Sequence, residues 1–243
     1  MSKVYTDTVT STEASQDLTL GGSGDNVIVT AGATLKTNTV KDSGGNTLWT
    51  SDGSGNISSI NTALASSNLI LLSTQTASNA ASVSFTSGID STYKLYIFKF
   101  YDVNPATDEA DFTFQCNATD STSYDETMTT TFFRAYHNEA DDSAALNYDT
   151  SPDQAQGTAF QALAVSVGNG ADKSCAGELH IFNPSSTTYV KHFYSTFNVL
   201  SGNDYTKETF VAGYINTTTA IDDIQFKMDS GNMDGVIKMY GMG

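Results

Sequence analysis

The chain has 243 residues, enough for one large β domain or one domain with an extension. It carries 27 acidic against 11 basic residues, a net charge of −16, which excludes a nucleic-acid binder built on clustered cations and disfavours an anionic membrane surface. Pro is scarce at 3, and Ser, Thr, Asn, Asp and Gly fill most non-apolar positions, which favours strands and turns because short polar side chains compete with the helix backbone for hydrogen bonds.

The N-terminus, "MSKVYTDTVTSTEAS", has Lys3 but no apolar stretch behind it, so no secretory signal is expected and cytosolic synthesis is the default. Short strand-like pieces follow: "DLTL", "NVIVT", "TLKTNTV", "NTLWTS" and "NISSI". Between them stand the turn-formers "GGSGD", "AGA", "DSGGN" and "DGSGN". These pieces are too short and too polar to bury a core from one chain. Their few apolar groups, Leu35, Val40, Leu48, Trp49, Ile57 and Ile60, are therefore the candidate residues of an interface between copies. "GGSGDNVIV" falls one residue short of a calcium nonapeptide. "DGSGN" lacks the sixth-position Gly and twelfth-position Glu of an EF-hand, so both read as turns.

Residues 61–68, "NTALASSN", read as a brief helix or linker. Beyond them "LILLSTQTAS" and "ASVSFTS" are strands. "YKLYIFKFYDV" (93–103) places Tyr96, Phe98 and Phe100 on one face and Tyr93, Leu95 and Ile97 on the other, as in a central strand. Further strands are expected at 111–116, 129–136, 158–167, 177–182, 187–199, 208–216, 221–228 and 235–241. With no 3.6-residue periodicity, about ten strands imply an antiparallel sandwich. In "HIFNPSSTTYV" a hairpin pairing Phe182 with Thr187 would set Glu178 opposite Lys191 and put His180 and His192 on opposite faces. "SVGNGADKS" (166–174) and "SGNMDG" (230–235) read as hairpin loops.

The motifs for chemistry are thin. Cys116 and Cys175 lack a Cys or His at ligand spacing, so buried thiols in a reducing compartment are expected, with pairing between them left open. The three histidines, His137, His180 and His192, suggest no shared metal. There is no Gly-x-Ser-x-Gly elbow and no phosphate loop. A carboxylate pair for glycoside hydrolysis is uninformative in so acidic a chain. Acidic pairs such as Asp141-Asp142 and Asp222-Asp223 read as solvated surface. Tyr136, Tyr148, Tyr189, Tyr194, Tyr205 and Tyr214 are of the type that stacks on sugars, although core or interface roles account for most such residues.

Three stretches carry a family resemblance: "STQTASNAASVSFTSGIDSTYKLYIFKFYDVNPATDEADFTFQ" (73–115), "ELHIFNPSSTTYVKHFYSTF" (178–197) and "IDDIQFKMDSGNMDGVIKMYG" (221–241). They resemble the β domain of structural proteins in tailed bacteriophages, marine and cyanobacterial ones in particular. The upstream "TLKTNTVKDSGGNTLWTSDGSGNISSINTAL" (34–64) resembles the shaft-like segments that precede such domains in phage fibres. The resemblance implies a virion appendage or decoration protein and carries over no active-site residues; separately, no cofactor or metal is expected.

The expectation is an all-β chain. Residues 1–62 form a short β shaft that attaches and trimerises, and residues 63–243 form a jelly-roll-like antiparallel β-sandwich. The expected function is a trimeric fibre on tail or capsid, made in the host bacterial cytoplasm and assembled into the virion. Its expected partners are itself as a homotrimer, other virion proteins through the N-terminal segment, and a host-surface glycan or protein at the outer end. No nucleic-acid partner and no membrane insertion are expected. The alternatives are a capsid decoration protein and, more remotely, a glycan depolymerase.

Overall fold

Side chains alternate sides along a strand, so a strand sealed on one face is buried at every second residue. The segment Lys191–Leu200 has this pattern: Lys191, Phe193, Ser195, Phe197 and Val199 are buried, while His192, Tyr194 and Asn198 face outward. A computed structural model of the chain describes residues 39–42, 44–54, 57–60 and 69–243. Among these residues the protein is all-β, with sixteen strands and no helix. The chain divides into two compact units, Met1–Asn61 and Thr62–Gly243. Leu35, the strands expected before residue 39 and the helix or linker expected at 61–68 lie outside the described residues.

In the first unit β1 (Thr39–Lys41), β2 (Thr47–Ser51) and β3 (Ile57–Ile60) form an antiparallel meander in that order. Asp42 makes the first turn: its Oδ1 accepts from the N–H of Gly44 (2.9 Å) and of Asn46 (2.8 Å). Gly45 takes the left-handed φ of 82° that this turn needs. Asp52 does the same for the second turn, accepting from the N–H of Ser54 at 2.7 Å.

The second unit runs β4 (Ile70–Ala80), β5 (Val83–Phe85), β6 (Leu95–Pro105), β7 (Ala110–Ala118), β8 (Met128–Asn138), β9 (Ala144–Tyr148), β10 (Ala155–Gly157), β11 (Gln161–Val167), β12 (Cys175–Phe182), β13 (Lys191–Leu200), β14 (Tyr205–Ile215), β15 (Ile221–Met228) and β16 (Met233–Met242). Nine of these strands make one sheet, in the order β10-β8-β14-β13-β12-β6-β16-β4, with β9 also pairing on β8. Four make the other, in the order β11-β7-β15-β5. All pairings are antiparallel, and the two sheets form a sandwich. Nested pairs alternate between the sheets: β6 with β16 in the large one, β7 with β15 in the small one, β8 with β14 in the large one. That is the winding of a jelly roll, into which the hairpin β12–β13 is inserted between β14 and β6.

Aromatic side chains from both sheets meet in the core. Phe226 of β15 lies 5.0 Å from Phe100 and 5.3 Å from Phe98, ring centre to ring centre, and also touches Phe85, Phe112 and Phe114. As expected for a central strand, β6 sends Tyr96, Phe98 and Phe100 into this core and keeps Ile97 buried on its other face.

Three expectations about connections need correction. The β12–β13 register sets Glu178 opposite Thr196 and His180 opposite Tyr194, so residues 183–190 form a longer loop. Lys191 is fully buried, and its Nζ donates to the carbonyls of Thr217 (3.0 Å) and Thr219 (2.6 Å). The partner of Glu178 is Lys99 on β6, at 2.9 Å. This register also places His180 and His192 on the same face. Finally, 166–174 and 230–235 are not hairpin loops, because β11 and β15 lie in one sheet and β12 and β16 in the other.

Candidate functional site

Two surfaces have the makings of a site, one in each unit. In the first, β2 register pairs Trp49 with Val40 on one side and Ile60 on the other. A bulge between Thr50 and Ser51 then sets Ile57 opposite Ser51. Residues 49 and 51 share a face, so Val40, Trp49, Ile57 and Ile60 all fall on one side of the sheet. Leu48 falls on the other side. Trp49 is half-buried, whereas Ile57 is 60% and Ile60 45% exposed. Four of the six expected interface residues thus form one apolar stripe with its outer end open to solvent.

The second surface comes from β8 and β14. Their register runs unbroken from Met128 opposite Ile215 to Asn138 opposite Tyr205. The inward positions begin as core: Met128, Thr130 and Phe132 on β8, Ile215 and Val211 on β14. Near Thr209, whose Oγ1 donates to the carbonyl of Leu163 on β11 at 2.6 Å, the small sheet still covers them. Beyond that point the inward positions become Arg134 and Tyr136 on β8, and Lys207 and Tyr205 on β14. They line a cleft of 330 Å³ with Asn147, Asn203 and three serines. Lys207 stands directly opposite Tyr136, and Asn147 of β9 opposite Arg134. The rings of Tyr136 and Tyr205 meet edge to face at 5.7 Å.

Arg134 is the only arginine in the chain. Its Nη2 lies 3.1 Å from Asp149 Oδ2, and its buried Nε–H has no acceptor among the described residues. The Lys207 side chain is 12% exposed, with Glu109 Oε2 at 3.9 Å as its one ion-pair partner among the described residues. Burial pushes the Lys207 pKa down, against the pull of Glu109. Burial likewise raises the pKa of Asp111 behind the cleft, whose Oδ1 accepts from the Ser166 N–H at 2.8 Å. Ser166 sits in a β-bulge of β11 with a φ of 56°. Glu109, the partner of Lys207, and Asp204, between the lining residues Asn203 and Tyr205, have φ values of 57° and 58°. Left-handed non-glycine residues are uncommon and gather at functional sites. Arg134 and Ser166 also border a second hollow of 490 Å³, lined by Asp111, Asp149, Asp153 and Asp229.

Elsewhere the candidates disperse. Tyr136 and Tyr205 reach the cleft, whereas Tyr194 and Tyr214 lie on the outer face of the large sheet, where His180 stacks on Tyr194 at 4.5 Å. Tyr189 is in the 183–190 loop, and Tyr148 donates to Asp153 at 2.6 Å. Cys116 and Cys175 are buried free thiols. Asp222 and Asp223 lie on β15. Among the described residues no group of three or more His, Cys, Asp or Glu is placed to hold a metal ion. The cleft residues Arg134 and Lys207 escape a motif search. The signal that finds them is a lone arginine at an inward-facing strand position. No family model, curated protein or solved structure matches the chain.

Proposed function

We propose that the protein is a structural component of a tailed-bacteriophage particle: a homotrimeric fibre whose N-terminal unit joins the copies and whose sandwich faces the host. The observation that carries this reading is the stripe of Val40, Trp49, Ile57 and Ile60 on a three-stranded sheet too small to bury it. Copies of a chain with a net charge of −16 repel one another, so association needs an uncharged contact, and this stripe supplies one. The resemblance of residues 34–64 to fibre shafts points the same way. Three linked sandwiches would multiply weak single contacts into avidity.

Light scattering on the full-length chain tests the oligomer, and antibody labelling of intact particles tests the location. A trimer mass with label on fibres is the expected result. A monomer whose residues 16–62 are cut freely by protease would overturn the oligomer. Label on the shell surface would assign a decoration protein instead, and unlabelled particles would overturn the virion reading.

A further inference from the structure

We infer that the cleft between Arg134 and Lys207 is a binding site for a carboxylate-bearing sugar residue. The lining itself selects for an anion. Among the described residues the lining has nine members, none acidic in a chain with 27 acids, and the only arginine and one of ten lysines are among them. Both cations occupy inward strand positions, where this fold elsewhere places Phe132 and Val211. Holding charge there costs desolvation that an aliphatic residue would avoid. Among the described residues the protein offsets each cation with a single carboxylate: Lys207 with Glu109 at 3.9 Å, and Arg134 with Asp149 at 3.1 Å.

The charge behind the lining sets the limit on the ligand. Asp149, Glu109 and Asp111 offset much of the two positive charges, which leaves room for a monoanion and disfavours a dianionic phosphate. Asn147, Asn203, Ser143 and Ser166 both donate and accept, as sugar hydroxyls require. Tyr136 and Tyr205 supply apolar ring surface for the C–H face of the sugar. The volume of 330 Å³ falls within the roughly 300–1,000 Å³ of small-molecule sites. At the rim Ser166, in the bulge of β11, holds a left-handed φ of 56°. The biological setting, an outward-facing sandwich, rests on the reading proposed above, whereas the cleft chemistry does not.

Calorimetric titration of the full-length protein tests the inference, with digalacturonate, its dimethyl ester and inorganic phosphate as probes. Digalacturonate is expected to bind, with the uncharged ester at least about tenfold weaker. Lys207→Met and Arg134→Met should each weaken the acid about tenfold or more. Asn203→Ala, in an exposed turn where folding is not at stake, should weaken it about threefold or more with the unfolding midpoint unchanged. Equal affinity for acid and ester, no heat at about 10 mM acid, or full affinity in both Lys207→Met and Asn203→Ala would overturn it. Phosphate binding as tightly as digalacturonate would reduce the cleft to a simple anion site and overturn the saccharide assignment. Failure of the titration leaves the particle-labelling result untouched, so the two readings fail separately.

Discussion

Replacing both Ile57 and Ile60 by Asp probes the N-terminal stripe directly. The two side chains are 60% and 45% exposed within one chain, so together they offer about one full Ile side chain of unburied surface. Burying that much is worth about 1.5–3 kcal/mol per chain, or roughly 4.5–9 kcal/mol per trimer. At about 1.4 kcal/mol per decade, this is roughly three to six decades in the assembly constant. Aspartate does worse than remove the gain, because an interfacial carboxylate must be desolvated. The assay is sedimentation of wild type and double variant across a concentration series, with circular dichroism to follow the sandwich. The wild type should sediment as a trimer and the double variant as a monomer of unchanged strand content, since exposed substitutions cost the fold about 0.5 kcal/mol or less. A wild type still monomeric at about 100 μM, or a double variant that assembles as tightly as the wild type, would refute the reasoning.

Three further outcomes follow from the sandwich. Phe226→Ala removes a fully buried ring that touches five other phenylalanines, and denaturant unfolding should show a loss of about 3–5 kcal/mol; a loss below about 1.5 kcal/mol would contradict the packing. The Lys99 ammonium, and secondarily His180, hold the Glu178 carboxyl below its usual range. That stabilisation is present above the unfolded value of about 4.3 and is lost as pH falls through the lower folded value. Both partners are about a third exposed, so the pair is worth at most ~1 kcal/mol, and Lys99→Met should flatten the acid limb of a pH–stability curve by that amount. Burial raises the pKa of both thiols far above the usual cysteine value, so a thiol reagent at pH about 8 should label Cys116 and Cys175 only after unfolding; fast labelling of either in the native protein would contradict their burial.

The strands were legible because alternation is a local property. "IDDIQFKM" can be read from its pattern, and β15 spans those same residues, Ile221–Met228. Sheet membership was not legible, because the choice between turning back and crossing over depends on what the other strands offer. The register of β12 and β13 failed for a related reason. Residues 183–190 are held by remote groups, with the Ile221 N–H donating to the Pro184 carbonyl at 3.0 Å and Lys191 reaching Thr217 and Thr219. A local rule treats a lysine as a surface partner for Glu178, whereas here its ammonium satisfies carbonyls of the β14–β15 connection. β9 and β10 are not legible because "AALNY" and "AQG" lack β-branched residues and hold their place by pairing along one edge of β8. The apolar stripe of the first unit is half legible. Its residues stood out by hydrophobicity, but only the bulge brings Ile57 and Ile60, three positions apart, to the same side.

The cleft follows from a mismatch of lengths. β8 and β14 are each 11 residues long, while β11 has 7 and bends away at its bulge. Two long strands in unbroken register against a short one leave inward-facing positions without an opposing layer. A hydrophobic sequence there would expose apolar surface, and the sequence instead changes from Phe132 and Val211 to Arg134 and Lys207. Strict alternation makes this change cooperative: one residue inserted after Phe132 would turn Arg134 and Tyr136 to the outer face and bring Ala135 and His137 inward. The cleft therefore depends on register as much as on residue identity. Its cations are held apart and only partly paired because a continuous ladder, anchored by the core at its other end, fixes the backbone beneath them.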